Sequence, residues 1–148
     1  MKPTTVLFAC IHNAGRSQMA VTFFNAAVDA TKARGLSAGT QPGVRIHPEV
    51  VEAMKEEGFD LSAVKPEALT AQLQGETDFL VTMGCGEACP LIPAVRRMDW
   101  EIADPKGQEI ARVRAIRDDI KGRVADLIEE RGWGRPRSPT NTSPDRGP

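Results

Sequence analysis

A chain of 148 residues suits one folded domain with a single hydrophobic core. The formal net charge is −1, from 19 basic and 20 acidic side chains, so the overall charge favours neither nucleic acid nor a membrane surface as a partner. No apolar run approaches the roughly 20 residues that cross a bilayer, and the stretch that ends at Cys10 is too short for a signal peptide. We therefore expect a cytoplasmic protein that binds no nucleic acid and no membrane. We also expect a monomer.

The first predicted elements are a buried strand, a loop and a helix. Residues 5–9 are continuously apolar and partly β-branched, which is typical of a buried parallel strand. A loop follows over residues 10–16, and Ser17 begins a helix whose apolar side chains recur at helical spacing and belong to the core. Those side chains are Met19, Ala20, Phe23, Phe24, Ala27 and Val28. The glycine-bounded residues 35–39 form the second predicted strand.

The middle of the chain predicts two helical segments. Pro48 begins a helix over residues 48–57, and Gly58 ends it. Residues 61–73 contain Pro66, and they predict a broken or short helix.

The second half of the chain predicts two further strands, over residues 78–82 and 98–102, and a long helix over residues 109–130. Strands that alternate with helices predict an α/β fold with a four-stranded parallel sheet and helices on both faces. We assign this single domain to residues 1–133. Residues 134–148 contain no aliphatic side chain, and they predict a disordered tail.

The loop between the first strand and the first helix carries Cys10 and Arg16, separated by five residues. Backbone N–H groups of a tight loop, together with a helix N-terminus, form a pocket for a tetrahedral oxyanion. Arg16 adds a planar fork of donors, and the positive surroundings favour the thiolate of Cys10, which makes it a nucleophile. The Ser17 hydroxyl can donate to that thiolate. The predicted oxyanion-binding residues are Ile11, His12, Asn13, Ala14, Gly15, Arg16 and Ser17.

Other interpretations of these residues stay open. The alternative for the loop is an ordinary strand-to-helix turn with a buried cysteine and a surface arginine, although its place between strand and helix favours the pocket. Asn13 tolerates a left-handed backbone, and Gly15 relieves crowding where the loop closes. His12 either touches the ligand or faces solvent. His47, beside Pro48, is a better candidate for starting a helix than for binding a metal.

The chain has three cysteines, a poor basis for a disulfide framework, so we expect any disulfide to be transient and catalytic. Cys85 follows the third predicted strand. Carboxyl ends of parallel strands share one edge of a sheet, which allows Cys85 to face Cys10. Cys89 is four residues further on, within bonding reach after local rearrangement. A zinc site and inert thiols are the alternatives, but zinc would lack a fourth ligand at a suitable spacing, and we predict no metal.

Asp104 follows the fourth predicted strand and precedes Pro105. A carboxyl group at that strand end can protonate the oxygen that leaves an oxyanion. An aspartate–proline pair is also a common start of a turn, but the position after the last strand favours the general acid.

Taken together, these residues resemble the arsenate reductases related to low-molecular-weight tyrosine phosphatases, over about residues 4–131. The resemblance implies that Ser37 supports Asn13, that arsenate is the substrate and that no cofactor is tightly bound. It also implies an external thiol reductant, thioredoxin or a similar dithiol protein. The matching motifs are Cys-x-x-Asn-x-x-Arg-Ser at residues 10–17, Gln18-Met19-Ala20, Ser37-Ala38-Gly39 and Asp104-Pro105.

Two features depart from the family pattern. The phosphatases place tyrosines after the aspartate–proline pair, whereas this chain has Lys106 there and no tyrosine at all. In the better-known thioredoxin-coupled reductases the second and third cysteines are further apart than Cys85 and Cys89. Glutaredoxin or a small thiol is therefore an alternative reductant.

The hypothesis is a disulfide relay for arsenic detoxification. Cys10 attacks arsenic while Asp104 protonates the departing oxygen; Cys85 then attacks Cys10, arsenite leaves, and Cys89 takes over the disulfide for external reduction. One alternative is a low-molecular-weight protein tyrosine phosphatase in which Cys85 and Cys89 protect Cys10 from oxidation. Another is a non-catalytic arsenite-binding thiol protein.

Overall fold

The computed structural model describes residues 2–84 and 96–135. Within these residues four strands form a sheet in which every neighbouring pair is parallel, in the order β2-β1-β3-β4. The central strands β1 and β3 are almost wholly buried, which explains their continuous apolar runs. The predicted four-stranded parallel sheet is confirmed. Its strands are β1 Thr4–Cys10, β2 Ala33–Gly39, β3 Phe79–Thr82 and β4 Arg96–Asp99.

The fourth strand begins two residues earlier than predicted, at Arg96, and ends at Asp99. It lies at the edge of the sheet and most of its side chains are exposed, so it lacks the apolar run that marks a buried strand. Trp100 and Ile102 are buried because the chain beyond the strand packs on the core. Because these two residues are apolar, the sequence pattern predicted the strand over residues 98–102, too far along the chain.

Four helices accompany the strands in the described part of the chain. The first and the last begin within one residue of their predicted starts. The second begins at Pro48 as predicted but ends two residues early, and Gly58 follows it with a φ of +90°. The helices are α1 Arg16–Ala27, α2 Pro48–Lys55, α3 Ala71–Glu76 and α4 Ile110–Arg131.

The predicted position of the short helix, residues 61–73, is wrong. Residues 61–70 form turns and irregular chain, and α3 begins only at Ala71. Thr70 caps it, because its side chain accepts a hydrogen bond from the Leu73 N–H at 3.1 Å. Residues 67–69 pair instead with the end of β2, because the Gly39 N–H donates to Glu67 O at 2.8 Å and the Leu69 N–H donates to Gly39 O at 3.0 Å. This pairing explains the late start of α3.

The sheet is covered on both faces, as predicted, but unevenly. Helices α1, α2 and α4 pack with one face into the large core, where the rings of Phe8 and Phe24 meet edge-on with centroids 5.3 Å apart. The other face carries a small apolar cluster against which Leu69 and Leu73, near and within α3, pack. That cluster consists of Leu7, Ala9, Ala38 and Leu80.

The chain after α4 returns to the large core. The Trp133 ring meets the rings of Phe24 and Phe79 edge-on, with centroids 5.9 Å apart in each pair. Gly134, the first residue of the predicted tail, forms an isolated β-bridge with Val28. Ordered contacts therefore continue one residue beyond the predicted domain boundary.

Three predictions fall on residues outside the described ranges: the positions of Cys85 and Cys89, and the disorder of residues 136–148. In the ranges that are described, no helix is both long enough and apolar enough to span a bilayer.

Ion pairs join the end of α2 to α4. Glu56 accepts hydrogen bonds from Arg114 Nη2 at 2.7 Å and from Arg117 Nη1 at 2.8 Å. These hydrogen bonds, first from Arg114 and then from Arg117, lower the pKa of Glu56 to about 2.

We expect Glu56→Gln to lower the thermal unfolding midpoint modestly at neutral pH, because exposed ion pairs contribute little each. The folded-state pKa lies below the ordinary value of 4.5, so the stabilisation is complete above that value and is lost as the pH falls towards about 2. Thermal melts across this pH range measure it. Glu129→Gln is the control, since no described residue forms an ion pair with Glu129. A difference between wild type and Glu56→Gln that stayed constant through the acid range would contradict the prediction.

Candidate active site

The loop of residues 10–17 joins the carboxyl end of β1 to the first turn of α1. The chain after β2, residues 40–47, runs along this loop and donates backbone hydrogen bonds to four of its carbonyl oxygens. These contacts hold the carbonyl groups against the neighbouring chain. The pairs, donor first, are Thr40 to Cys10, Gln41 to Ile11, Gly43 to His12 and His47 to Ala14, at 2.7–3.2 Å.

The N–H groups of the loop are left available. Among residues 2–84 and 96–135, no acceptor takes a hydrogen bond from the N–H groups of residues 11–15. Successive N–H groups in a tight loop form a nest for an anion, and the N-terminus of α1 adds partial positive charge. Gly39 permits the close packing behind the nest, because a Cβ there would lie 2.6 Å from Ile11 O and 2.9 Å from Asn13 N. The loop therefore has the donors that a tetrahedral oxyanion needs.

Asn13 organises the loop from within. It is fully buried, and its φ of +52° is the left-handed conformation expected for this residue. Its Nδ2 donates to Ser17 Oγ at 2.7 Å, and its Oδ1 accepts from Gln18 Nε2 and from the Glu67 N–H, both at 2.8 Å. Three hydrogen bonds thus hold one side chain in place.

The expected hydrogen bond between Ser37 and Asn13 is not formed within the described residues. Ser37 lies opposite Phe8 in the register of β1 and β2, whereas the loop begins two residues further along, at the pair of Cys10 and Gly39. Gln18 and Glu67 instead hold the Asn13 side chain.

Cys10 is almost fully buried, at 2% exposure, and its Sγ lies 2.9 Å from Ser17 Oγ. Because Ser17 Oγ already accepts a hydrogen bond from Asn13, its own hydrogen is free to point at the sulfur. A hydroxyl that donates to a thiolate stabilises the nucleophilic form. The Ser17 hydroxyl is therefore placed to donate to Cys10 Sγ at the base of the loop.

The Arg16 guanidinium lies between the loop and the ends of the last two strands. It is 7% exposed, and its Nη1 donates to Ile102 O at 3.1 Å. Its Nη2 is 3.8 Å from Asp104 Oδ2. Gly84 has a φ of +93°, and a Cβ there would overlap Arg16 Nη1. Gly84 therefore leaves the space that the guanidinium occupies.

The surroundings of Asp104 bear on both interpretations that the sequence left open. It starts a turn, because its Oδ1 accepts a hydrogen bond from the Lys106 N–H at 3.0 Å. Its side chain is also 44% exposed and lies beside Arg16. Pro105 packs against the loop, since a Cβ on Gly15 would lie 2.9 Å from Pro105 Cγ. The turn thus places a carboxylate next to the oxyanion loop.

His47 lies beside the loop but begins a helix, as expected. It is the N-cap residue of α2, and its Cδ2 would lie 3.3 Å from a Cβ on Gly15. Burial lowers the pKa of His47, and the negative charges of Asp104 and Glu49 oppose that shift in part. His12 is half-buried within the loop.

The two remaining site residues, Cys85 and Cys89, lie outside the described residues, and so does the zinc alternative that involves them. Gly84, which immediately precedes Cys85 in the chain, is described and lies against Arg16. The chain therefore enters the cysteine-bearing segment from the edge of the oxyanion loop.

The chain has a parallel α/β fold, and the loop between β1 and α1 carries both a thiol and the donors for an anion. Proteins of this class can present a cysteine nucleophile to a tetrahedral oxyanion. The chain belongs to the low molecular weight phosphotyrosine protein phosphatase family, whose sequence model matches residues 5–132.

Several similar proteins are arsenate reductases by name. A Halobacterium salinarum protein with the provisional name arsenate reductase is 42% identical over 127 residues, 83% of this chain and 89% of that protein. The glutaredoxin arsenate reductase of a Synechocystis species is 32% identical over 126 residues, 83% of this chain and 95% of that protein. The solved thioredoxin-dependent arsenate reductase of Corynebacterium glutamicum is 35% identical, with a TM-score of 0.72 over 87% of this chain. This chain spans 62% of that solved chain.

Proposed function

We propose that this chain is an arsenate reductase, which converts arsenate to arsenite in arsenic detoxification. The names of its relatives support this function, and so does an oxyanion loop with a buried thiol. The observation that carries the proposal is the contact between Gly84 and Arg16. Gly84 immediately precedes Cys85 in the chain, so this contact supports a role for Cys85 and Cys89 close to the loop. Thiols there would serve reduction but are not needed to hydrolyse a phosphate ester.

The first step is a nucleophilic substitution at arsenic(V). The loop N–H groups and Arg16 bind the arsenate oxygens, and the Cys10 thiolate attacks arsenic. A sulfur–arsenic bond forms as an arsenic–oxygen bond breaks. Asp104 gives the proton with which the departing oxygen leaves as water. Arsenic keeps its oxidation state in this step.

The second step carries the redox change. The Cys85 thiolate attacks Cys10 Sγ, so a disulfide forms while the sulfur–arsenic bond breaks. The electron pair of that bond goes to arsenic, which falls from the +5 to the +3 state and leaves as arsenite. The two thiols together supply the two electrons. Cys89 then attacks Cys85, which frees Cys10 and leaves a Cys85–Cys89 disulfide.

An external thiol must reduce this disulfide by exchange, and we propose thioredoxin or a similar dithiol protein. The names of the Corynebacterium and Synechocystis relatives, which refer to thioredoxin and glutaredoxin, support a protein of this kind. A relay of free thiols needs a reducing compartment, which supports the cytoplasm as its location.

The second candidate function is phosphate ester hydrolysis, which the family match favours. The substitution step needs only Cys10, Arg16 and Asp104, so the same loop can attack phosphorus. This activity can accompany arsenate reduction in one protein.

The test couples the purified chain to thioredoxin, thioredoxin reductase and NADPH. We expect arsenate to drive NADPH oxidation with one arsenite formed per NADPH, and Cys10→Ser to abolish it. A parallel assay follows hydrolysis of p-nitrophenyl phosphate. If thioredoxin fails, glutaredoxin with glutathione replaces it. A chain that hydrolysed the ester but reduced no arsenate with either donor would be a phosphatase, and the proposal would be wrong.

A further inference from the structure

Gln18 is a buried polar residue in the first turn of α1, 4% exposed, to which the mechanism above gives no role. Its Nε2 donates to Asn13 Oδ1 at 2.8 Å and to the backbone oxygen of Asn13 at 3.2 Å. One amino group therefore donates to two oxygens of a single residue. Gln18 clamps the side chain of Asn13 to its own backbone.

The clamp acts at the point where the loop backbone is under strain. Asn13 has a φ of +52°, a conformation that costs free energy for any residue other than glycine and persists only when its surroundings hold it. The Glu67 N–H donates to the same Oδ1 at 2.8 Å. Since a backbone N–H can only donate, the atom facing it must be the oxygen, and the Asn13 amide nitrogen must face Ser17.

The hydrogen bonds then run in one direction towards the sulfur. Gln18 donates to Asn13, Asn13 donates to Ser17 at 2.7 Å, and Ser17 lies 2.9 Å from Cys10 Sγ. Because Ser17 Oγ is occupied as an acceptor, its hydrogen is directed at the sulfur. All four residues are buried, so solvent does not readily replace a lost member.

We propose that Gln18 is a positioning residue for the Cys10 nucleophile, because it holds Asn13 in the orientation that makes the Ser17 hydroxyl a donor to the thiolate. The inference rests on the proposed function only in taking Cys10 as the nucleophile. It gives a role to the glutamine of the Gln-Met-Ala motif that neither substrate contact nor core packing explains.

The test measures how fast iodoacetamide alkylates Cys10 as a function of pH. The full chain carries Cys85→Ser and Cys89→Ser, so that Cys10 is its only thiol. Gln18→Met keeps the size of the side chain and removes the amide, and we expect it to raise the pH midpoint of alkylation by about one unit. Ser17→Ala should raise the midpoint by about one to two units. In the Ser17→Ala background, Gln18→Met should add nothing further.

The control is Gln72→Met, which removes an exposed glutamine amide that donates to Glu76 on α3 and should leave the midpoint unchanged. Circular dichroism checks that each variant folds. If Gln18→Met does not fold, Gln18→Asn keeps an amide one methylene too short to reach both oxygens, with the same expected shift. An unchanged midpoint, or a shift that adds in full to that of Ser17→Ala, overturns the inference. Alkylation needs neither arsenate nor a reductant. The alkylation midpoints therefore test the role of Gln18 even if the chain reduces no arsenate.

Discussion

A chain with Cys85→Ser should bind arsenate and form the sulfur–arsenic bond at Cys10, but it should release no arsenite. The electron pair of that bond passes to arsenic only when a second thiol attacks Cys10. We therefore expect steady-state arsenate reduction to fall by roughly 10³-fold or more, as when a residue that makes a covalent bond is removed. The coupled NADPH assay and direct measurement of arsenite both report this loss.

The matched variant is Cys89→Ser, which removes the other thiol of the pair. Without an external reductant it should complete one round, release one arsenite per chain and stop with a Cys10–Cys85 disulfide that mass spectrometry can detect. Both variants should retain whatever hydrolysis of p-nitrophenyl phosphate the wild type shows, because that reaction needs neither residue. Undiminished steady-state reduction by Cys85→Ser would refute the relay.

Gly84→Ala should lower kcat/KM for arsenate by about 100-fold, the scale expected when a donor to the transition-state charge is displaced. A Cβ at residue 84 overlaps Arg16 Nη1, so the guanidinium must leave its hydrogen bond with Ile102 O. Hydrolysis of p-nitrophenyl phosphate should fall with it, because Arg16 serves both reactions. Steady-state kinetics with each substrate measure the effect.

The control for Gly84→Ala separates backbone strain from the clash with Arg16. Gly58 has a φ of +90°, close to the +93° of Gly84, but a Cβ there would meet no atom within 4 Å. Gly58→Ala should therefore lose about 1 kcal/mol of stability from the left-handed backbone, as Gly84→Ala also does, without a change in kcat/KM. Equal kinetic losses in the two variants would show that the clash with Arg16 is not the cause.

The parts of the site that the sequence predicts are those encoded over short distances along the chain. Cys10, Arg16 and Ser17 share one loop between a buried strand and a helix, so residue type and spacing together predict the oxyanion pocket. Asp104 is predicted by a different signal, because it follows a strand and the carboxyl ends of parallel strands meet at one edge.

The supports of the loop are harder to predict because they come from distant residues or from the backbone. Glu67 lies 54 residues after Asn13 and acts through its N–H, which every residue except proline has. Ser37 was expected to support Asn13 on the basis of resemblance, but register places it opposite Phe8, two residues before the pair of Cys10 and Gly39 at which the loop begins. The pairing of β1 with β2 decides which loop residues Ser37 can reach, and a run of neighbouring residues in the sequence does not reveal that pairing.

The fold shows the same limit at its edge. The central strands are buried on both faces, so continuous apolar runs in the sequence predict them. Strand β4 is mostly exposed and begins with Arg96 and Arg97, so it has no such run. In the described part of the chain, the pairing of Arg96 with Phe79 is what places that strand in the sheet.

The hydrogen bonds between residues 40–47 and the oxyanion loop also bear on how this molecule can be altered. Connections between elements usually accept added or deleted residues more readily than helices and strands do. Here a change of length would shift four donors out of step with the carbonyl groups they bind. New termini, tags and inserted domains should therefore not be placed in this connection, even though Val44 within it is exposed to solvent.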